Sequence, residues 1–189
     1  MTGITSIDYG PLAGLIGTWE GDKGMDIAPE PDGIEENPYY ETITFEAAGD
    51  VTNAESQVLA VVRYHQVVSR KSNNQVFHDE NGYWLWDAQQ GLIMQSLVIP
   101  RGVCVIAGCQ YQETNEKDTI NLAVSAKDGD PDWGILQSPF MRDNARTVEF
   151  RHEITITGNV LRYSETTVLD IYGQIFEHTD CNELVRKET

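Results

Sequence analysis

The sequence predicts an all-β fold: about ten antiparallel strands closed into an up-and-down barrel of the calycin or lipocalin-like kind, with residues 1–189 as a single domain. Three observations predict it. Apolar residues alternate with polar ones in run after run rich in Val, Ile, Thr and aromatics, the period of a half-buried strand. Short polar breaks join the runs, so successive strands pair as a meander. The chain has 189 residues, 40% of them hydrophobic, which is enough for one core.

Taken in order, Leu12, Leu15 and Ile16 have helical spacing but sit between Gly10-Pro11 and Gly17, which allows one short helical turn. Gly17-Thr18-Trp19-Glu20-Gly21-Asp22-Lys23-Gly24 reads as a strand and bend with Trp19 as core filler, its glycines permitting close backbone approach. Residues 26–38 contain Pro29, Pro31, Pro38 and a run of carboxylates. Proline forbids ladder hydrogen bonds and the acids lack calcium-loop spacing, so this stretch is expected to be a solvated acidic loop. Strand patterns follow over 40–47, 58–68, 76–86, 92–99, 103–110 and 119–126. Residues 128–144 carry Trp133, Leu136, Phe140 and Met141 among Gly and Pro, predicting a packed loop or short helix that closes one end. The last strands are 147–157, 160–171 and 173–185; in the last, Gln174, Phe176, His178 and Asp180 share one face, and Ile175, Glu177 and Thr179 the other.

Composition excludes several functions. A net charge of −17 and a pI near 4.4, with no basic stripe, exclude a nucleic-acid surface and disfavour anionic membranes. The same field makes a neutral or shielded small molecule the easier ligand to admit. Cys104, Cys109 and Cys181 form no CxxC or CxxCH pattern, which removes zinc-ribbon, thioredoxin and covalent haem readings. Residues 1–16 lack a secretory leader and no run could span a bilayer, so a cytoplasmic protein with reduced thiols is expected. Oligomeric state stays open, a homodimer included.

No two of the histidines His65, His78, His152 and His178 have local zinc-pair spacing, and no nucleophile elbow is present. His65 and His78 read as mouth or surface positions paired with Asp79 or Glu80. His152 lies between Arg151 and Glu153, a charged exposed face by default. If the face carrying Phe176 and His178 points into the barrel, His178 offers a neutral nitrogen to a cavity, which is what haem iron requires of a protein. Spacing alone describes a hydrogen-bonded core histidine equally well.

Four pieces of the chain resemble the nitrobindin family of haem-binding, fatty-acid-binding-protein-like barrels. They are Leu15-Ile16-Gly17-Thr18-Trp19-Glu20-Gly21-Asp22-Lys23-Gly24, Glu80-Asn81-Gly82-Tyr83, Ile99-Pro100-Arg101-Gly102-Val103, and Leu161-Arg162-Tyr163 leading through Gly173 to His178 and a terminal Leu184-Val185-Arg186. The resemblance implies a ferric b-type haem with His178 as the one axial protein ligand and metal contact. It also implies that Thr18, Trp19, Gly21 and Gly24 pack near the porphyrin beside a mostly apolar distal side, and that the bound iron binds nitric oxide or isomerises peroxynitrite. Enzymatic activity follows only if haem is bound. Thr179-Asp180-Cys181-Asn182-Glu183 is one residue longer and more polar than the family's pattern, and a bulge near Asp180 would restore register. Two other readings stay open: a carrier of a fatty acid or other small lipophile anchored by inward Arg63 or Arg162, and a small enzyme using His65 with Asp79 or Glu80 over a polar cavity floor.

Overall fold

The alternating runs become long strands because one side of each meets the core and the other meets water. The computed structural model describes residues 7–188; residues 1–6 and 189, the ends of the predicted domain, lie outside it. The strands are β1 (Gly17–Gly21), β2 (Met25–Glu30), β3 (Gly33–Asn53), β4 (Gln57–Arg70), β5 (Val76–Asp87), β6 (Leu92–Ile99), β7 (Val103–Gln110), β8 (Thr119–Lys127), β9 (Ile135–Gln137), β10 (Ala145–Thr157), β11 (Val160–Ile171) and β12 (Gln174–Arg186). A 3-10 turn, Gly10–Gly14, precedes them, and the helix α1 (Pro139–Asn144) lies between β9 and β10. The sheet runs β1-β12-β11-β10-β8-β7-β6-β5-β4-β3, and β1 pairs back onto β3 to close a ten-stranded antiparallel barrel. Strands β2 and β9 are additions on β3 and β7. The predicted fold class is the observed one.

One end of the barrel is plugged. Leu12 and Leu15 of the 3-10 turn are fully buried beside Trp19. The Trp19 indole donates to the Leu15 carbonyl at 2.7 Å, and the Arg186 guanidinium stacks 4.1 Å from the Trp19 ring while donating to the carbonyls of Gly14 and Ile16. The terminal Leu184-Val185-Arg186 thus ties the last strand to the first: Leu184 is fully buried and Arg186 pairs opposite Trp19. The three cysteines are free and exposed.

Residues 26–38 are not a solvated loop but an edge hairpin, β2 paired with the start of β3 from Met25↔Pro38 to Glu30↔Gly33. Pro29 lies on the outermost strand, where a missing N–H costs little, and Asp26 and Asn37 are its buried polar members. The region 128–144 contains β9 and α1, the latter capped by Ser138 Oγ, which accepts from the Met141 N–H at 3.3 Å. No helix among the described residues is long and apolar enough to cross a membrane.

Strand β12 follows a two-residue turn, Tyr172 and Gly173, with φ of 53° and 76°. Positive φ at both positions marks the turn that matches strand twist in tight hairpins. Pairing then runs without a break from Ile171↔Gln174 to Val160↔Val185. The bulge expected near Asp180 is absent. The inner face continues through His178, Asp180, Asn182 and Leu184, because the interior supplies polar partners for the first three.

Candidate functional site

Opposite the plugged end, the barrel encloses a cavity of ≈ 350 Å³. Its apolar wall includes Val68, Phe77, Leu97, Ile99, Val103 and Leu169. Its polar lining is set by strand parity: residues two apart from core positions also point inward, whatever their chemistry. Glu80 shares parity with fully buried Trp84 on β5, and Glu165 with buried Leu161 and Tyr163 on β11. Asp180 and His178 continue the face of Leu184 on β12. The hairpin β2–β3 lies beside the mouth and contributes Asp26, Ala28 and Pro29 to the lining.

On this wall, His178 Nε2 lies 2.8 Å from Asp26 Oδ1 and 3.5 Å from Asp180 Oδ2. Burial, the largest single effect, pulls the imidazole down, but the Asp26 hydrogen bond and the charges of Asp180 and Asp26 outweigh it and hold the pKa above the ordinary value. Burial raises the Asp180 carboxyl, opposed by His178 and reinforced by Asp26. His78, also on the lining, has Nε2 3.6 Å from Glu80 Oε2; burial lowers it, and the Glu80 hydrogen bond and charge raise it further than that.

Two hydrogen-bonded clusters form the floor. Tyr64 donates to Glu80 Oε1 at 2.5 Å, Gln95 Nε2 donates to the Tyr64 oxygen at 2.7 Å, and His152 Nδ1 lies 3.0 Å from Gln95 Oε1. With the Gln95 amide nitrogen already donating to Tyr64, its oxygen must accept, so the His152 proton sits on Nδ1. Burial pushes His152 down to about 4, only partly countered by Glu80. Glu165 is raised well above the usual carboxyl range, first by burial and then by Glu80, Asp180 and Glu41. Glu41, in the second cluster, receives Gln66 at 2.7 Å, Asn182 at 2.6 Å and Tyr163 at 3.0 Å. Burial lifts it to about 7 against the lowering effect of those three donors.

The other sequence-derived candidates fall outside the cavity wall. Trp19 is in the plug, and Thr18 Oγ1 lies 3.4 Å from Thr44 Oγ1 on the neighbouring strand. A side chain at Gly21 would meet the Glu183 carbonyl at 2.8 Å, so this glycine lets β1 sit against β12. Gly24 lies against Tyr39, whose ring an added Cβ would strike at 2.0 Å, and Tyr39 does line the cavity. Of Thr18, Trp19, Gly21, Gly24 and His178, only His178 is on the wall.

Several expectations are corrected. His152 is not on an exposed charged face: it is 6% exposed, inward with Phe150 and Ile154, while Arg151 and Glu153 point out. Arg63 and Arg162 are not inward anchors but exposed partners of Glu46 at 2.8 Å and Glu183 at 2.6 Å. The guanidiniums on the cavity lining are those of Arg70 and Arg101. His65 does pair with Asp79, at 3.2 Å, but on the exposed outer surface. The cavity wall itself is not uniformly apolar, being interrupted by Glu80, Glu165, His78 and Asp26.

These residues fit a haem in composition: an apolar wall for the macrocycle, cations for its carboxylates and the imidazoles of His178 and His78 on the lining. The fit carries one condition. Nε2 of His178 is held by Asp26, so that carboxylate must give it up before iron can take it.

A family model described as the THAP4-like, heme-binding beta-barrel domain matches residues 8–186. The crystal structure of Rv2717c from M. tuberculosis is similar with a TM-score of 0.68 at 22% sequence identity, covering 96% of this chain and 100% of that one. At that identity the likeness carries the fold alone. No curated protein sequence shows significant similarity to the chain. A ligand-binding barrel whose wall carries an inward imidazole agrees with the family match, and the chain belongs to the THAP4-like haem-binding β-barrel family.

Proposed function

We propose that the cavity takes up ferric haem b with His178 as its axial protein ligand, and that nitric oxide binding or isomerisation of peroxynitrite to nitrate is the resulting activity. The observation that carries this reading is the place of His178: β12 register sets its imidazole on the wall of the cavity, in a family of haem-binding barrels. When bound, a haem with one imidazole supplies an electrophilic iron with a further position for a small ligand. His178 would hold it, Arg70 and Arg101 on the same lining would offer charge-assisted hydrogen bonds to its carboxylates, and Asp26, Ala28 and Pro29 of the β2–β3 hairpin would form part of its wall. Hemin titration is expected to give a one-to-one Soret band that His178→Ala abolishes and Asp26→Ala strengthens. An unchanged spectrum at stoichiometric hemin overturns the reading, and faster peroxynitrite decay in stopped flow checks the activity.

A second reading is favoured by the same two guanidiniums. A carrier of a carboxylated lipophile would anchor its ligand on Arg70 or Arg101 rather than on the outward Arg63 or Arg162. Displacement of a fluorescent fatty acid, lost in Arg101→Ala and kept in Arg162→Ala, would support it.

A further inference from the structure

Asp26 and His178 are 152 residues apart in sequence, yet with Asp180 they place one ligand atom each within 4.8 Å of one another. His178 Nε2 lies 2.8 Å from Asp26 Oδ1, a hydrogen bond, and 3.5 Å from Asp180 Oδ2, two separations that bracket the edge of a coordination shell. Around a divalent ion bound at about 2.0–2.2 Å, neighbouring nitrogen and oxygen ligands lie roughly 3.0–3.4 Å apart. The donors come from two elements held by continuous pairing, β2 on β3 and β12 on β11.

A second observation points the same way. Asp180 Oδ1 is buried and accepts no hydrogen bond from the described residues. Buried carboxylate oxygens are rarely left so, and a second carboxylate sharing the same imidazole makes the position less comfortable still. The third feature is access: Asp26, His178 and Asp180 all line the cavity, which leaves further coordination positions facing it, with His78 and Glu80 on the same wall. Structural zinc sites are closed; sites that act on a ligand keep a position open.

We propose that Asp26, His178 and Asp180 form a mononuclear non-haem site for a divalent first-row transition ion, open to the cavity. One imidazole and two carboxylates suit Zn²⁺, Fe²⁺, Co²⁺ or Mn²⁺. The ion and haem iron compete for His178 Nε2, so only one occupies it at a time, and the site does not depend on the haem reading.

Zn²⁺ titration by calorimetry and Co²⁺ titration by visible absorption test it, with far-UV circular dichroism of every variant as the folding control. One ion per chain is expected, with binding lost in His178→Ala and weakened at least tenfold in both Asp26→Asn and Asp180→Asn. His65→Ala, at the exposed pair with Asp79, leaves that stoichiometry and affinity unchanged. Saturating Zn²⁺ suppresses the hemin Soret band of the wild type, whereas Asp180→Asn, with its weakened ion affinity, keeps that band at the same Zn²⁺ concentration. Zn²⁺ binding through these three residues in a protein that gives no Soret band would sustain this site while overturning the haem reading. Absence of one-to-one binding, or affinity unchanged in folded Asp26→Asn and Asp180→Asn, overturns the site.

Discussion

The two ends of the barrel are built from the same strands and hold opposite chemistry. At the plugged end, Leu12, Leu15, Trp19 and Leu184 are fully buried, and the Trp19 indole nitrogen is satisfied by a carbonyl. At the open end, strand positions of the same parity carry Asp26, Glu80, Glu165, His178 and Asp180 around a cavity. Apolar packing stabilises one end and tolerates no ligand. The other end gives up that burial and depends on every buried polar group finding a partner, which makes it the end where ligands can compete.

Substitutions can break or sharpen this contrast. The largest effect should come from the plug: Trp19→Ala removes a fully buried indole and the platform under Arg186, and should cost about 3–5 kcal/mol in urea unfolding. The same change should leave the cavity lining intact in folded protein, so a loss of ligand affinity out of proportion to stability would break the division between the ends.

Next in size is the pH dependence of the polar floor. His152, lowered from 6.5 to about 4, contributes stability that is complete above pH 6.5 and lost as pH falls from there towards 4. Glu41, raised from 4.5 to about 7, contributes stability that is complete below pH 4.5 and lost as pH rises through 7. The two slopes oppose each other across most of the same window. The stability difference between wild type and Glu41→Gln should therefore shrink on going from pH 4.5 to pH 7, by up to about 3 kcal/mol, while the difference for His152→Gln changes in the opposite sense. Urea melts at several pH values measure both, and parallel profiles for wild type and Glu41→Gln would show that Glu41 is ionised throughout.

Tyr64→Phe should cost about 1–3 kcal/mol, because it strips Glu80 and Gln95 of a shared buried partner without opening a cavity. Tyr39→Phe should cost least, about 0.5–1.5 kcal/mol, for the one hydrogen bond to Tyr163. If Tyr39→Phe proved costlier than Tyr64→Phe, the Glu41 cluster and not the Glu80 cluster would be the more stringent part of the floor.

The barrel was legible because the meander is written locally. Ile43 and Phe45, or Ile154 and Ile156, alternate with polar neighbours, and turns such as Gly158-Asn159 stop each run. The same period put His178 on one face with Phe176 and Asp180, and only the closed barrel shows His178 and Asp180 on the cavity wall. His152 was equally readable: its parity with Phe150, Ile154 and Ile156 marks it as buried, but the charges of Arg151 and Glu153 beside it carried more weight than the period did. Glu41, Glu80 and Glu165 carry the same overlooked signal, acids in step with buried aromatics and aliphatics. Asp26 was beyond local reading. Its prolines resemble a loop until β3 is present to pair with, and its partner lies at the other end of the chain, where only closure brings it.

The turn of Tyr172 and Gly173 makes the identity of the bound ligand a matter of one codon. An insertion or deletion there would shift β12 by a residue and exchange its two sides, sending His178 and Asp180 to solvent and Glu177 and Thr179 inward. With a compensating bulge before Leu184 to keep that residue buried and Arg186 on Trp19, the barrel could survive such a slip when its chemistry could not. Length variation at this hairpin is therefore an evolutionary route by which a closed scaffold can abandon one cargo and become available for another, with no change to the residues that give it up.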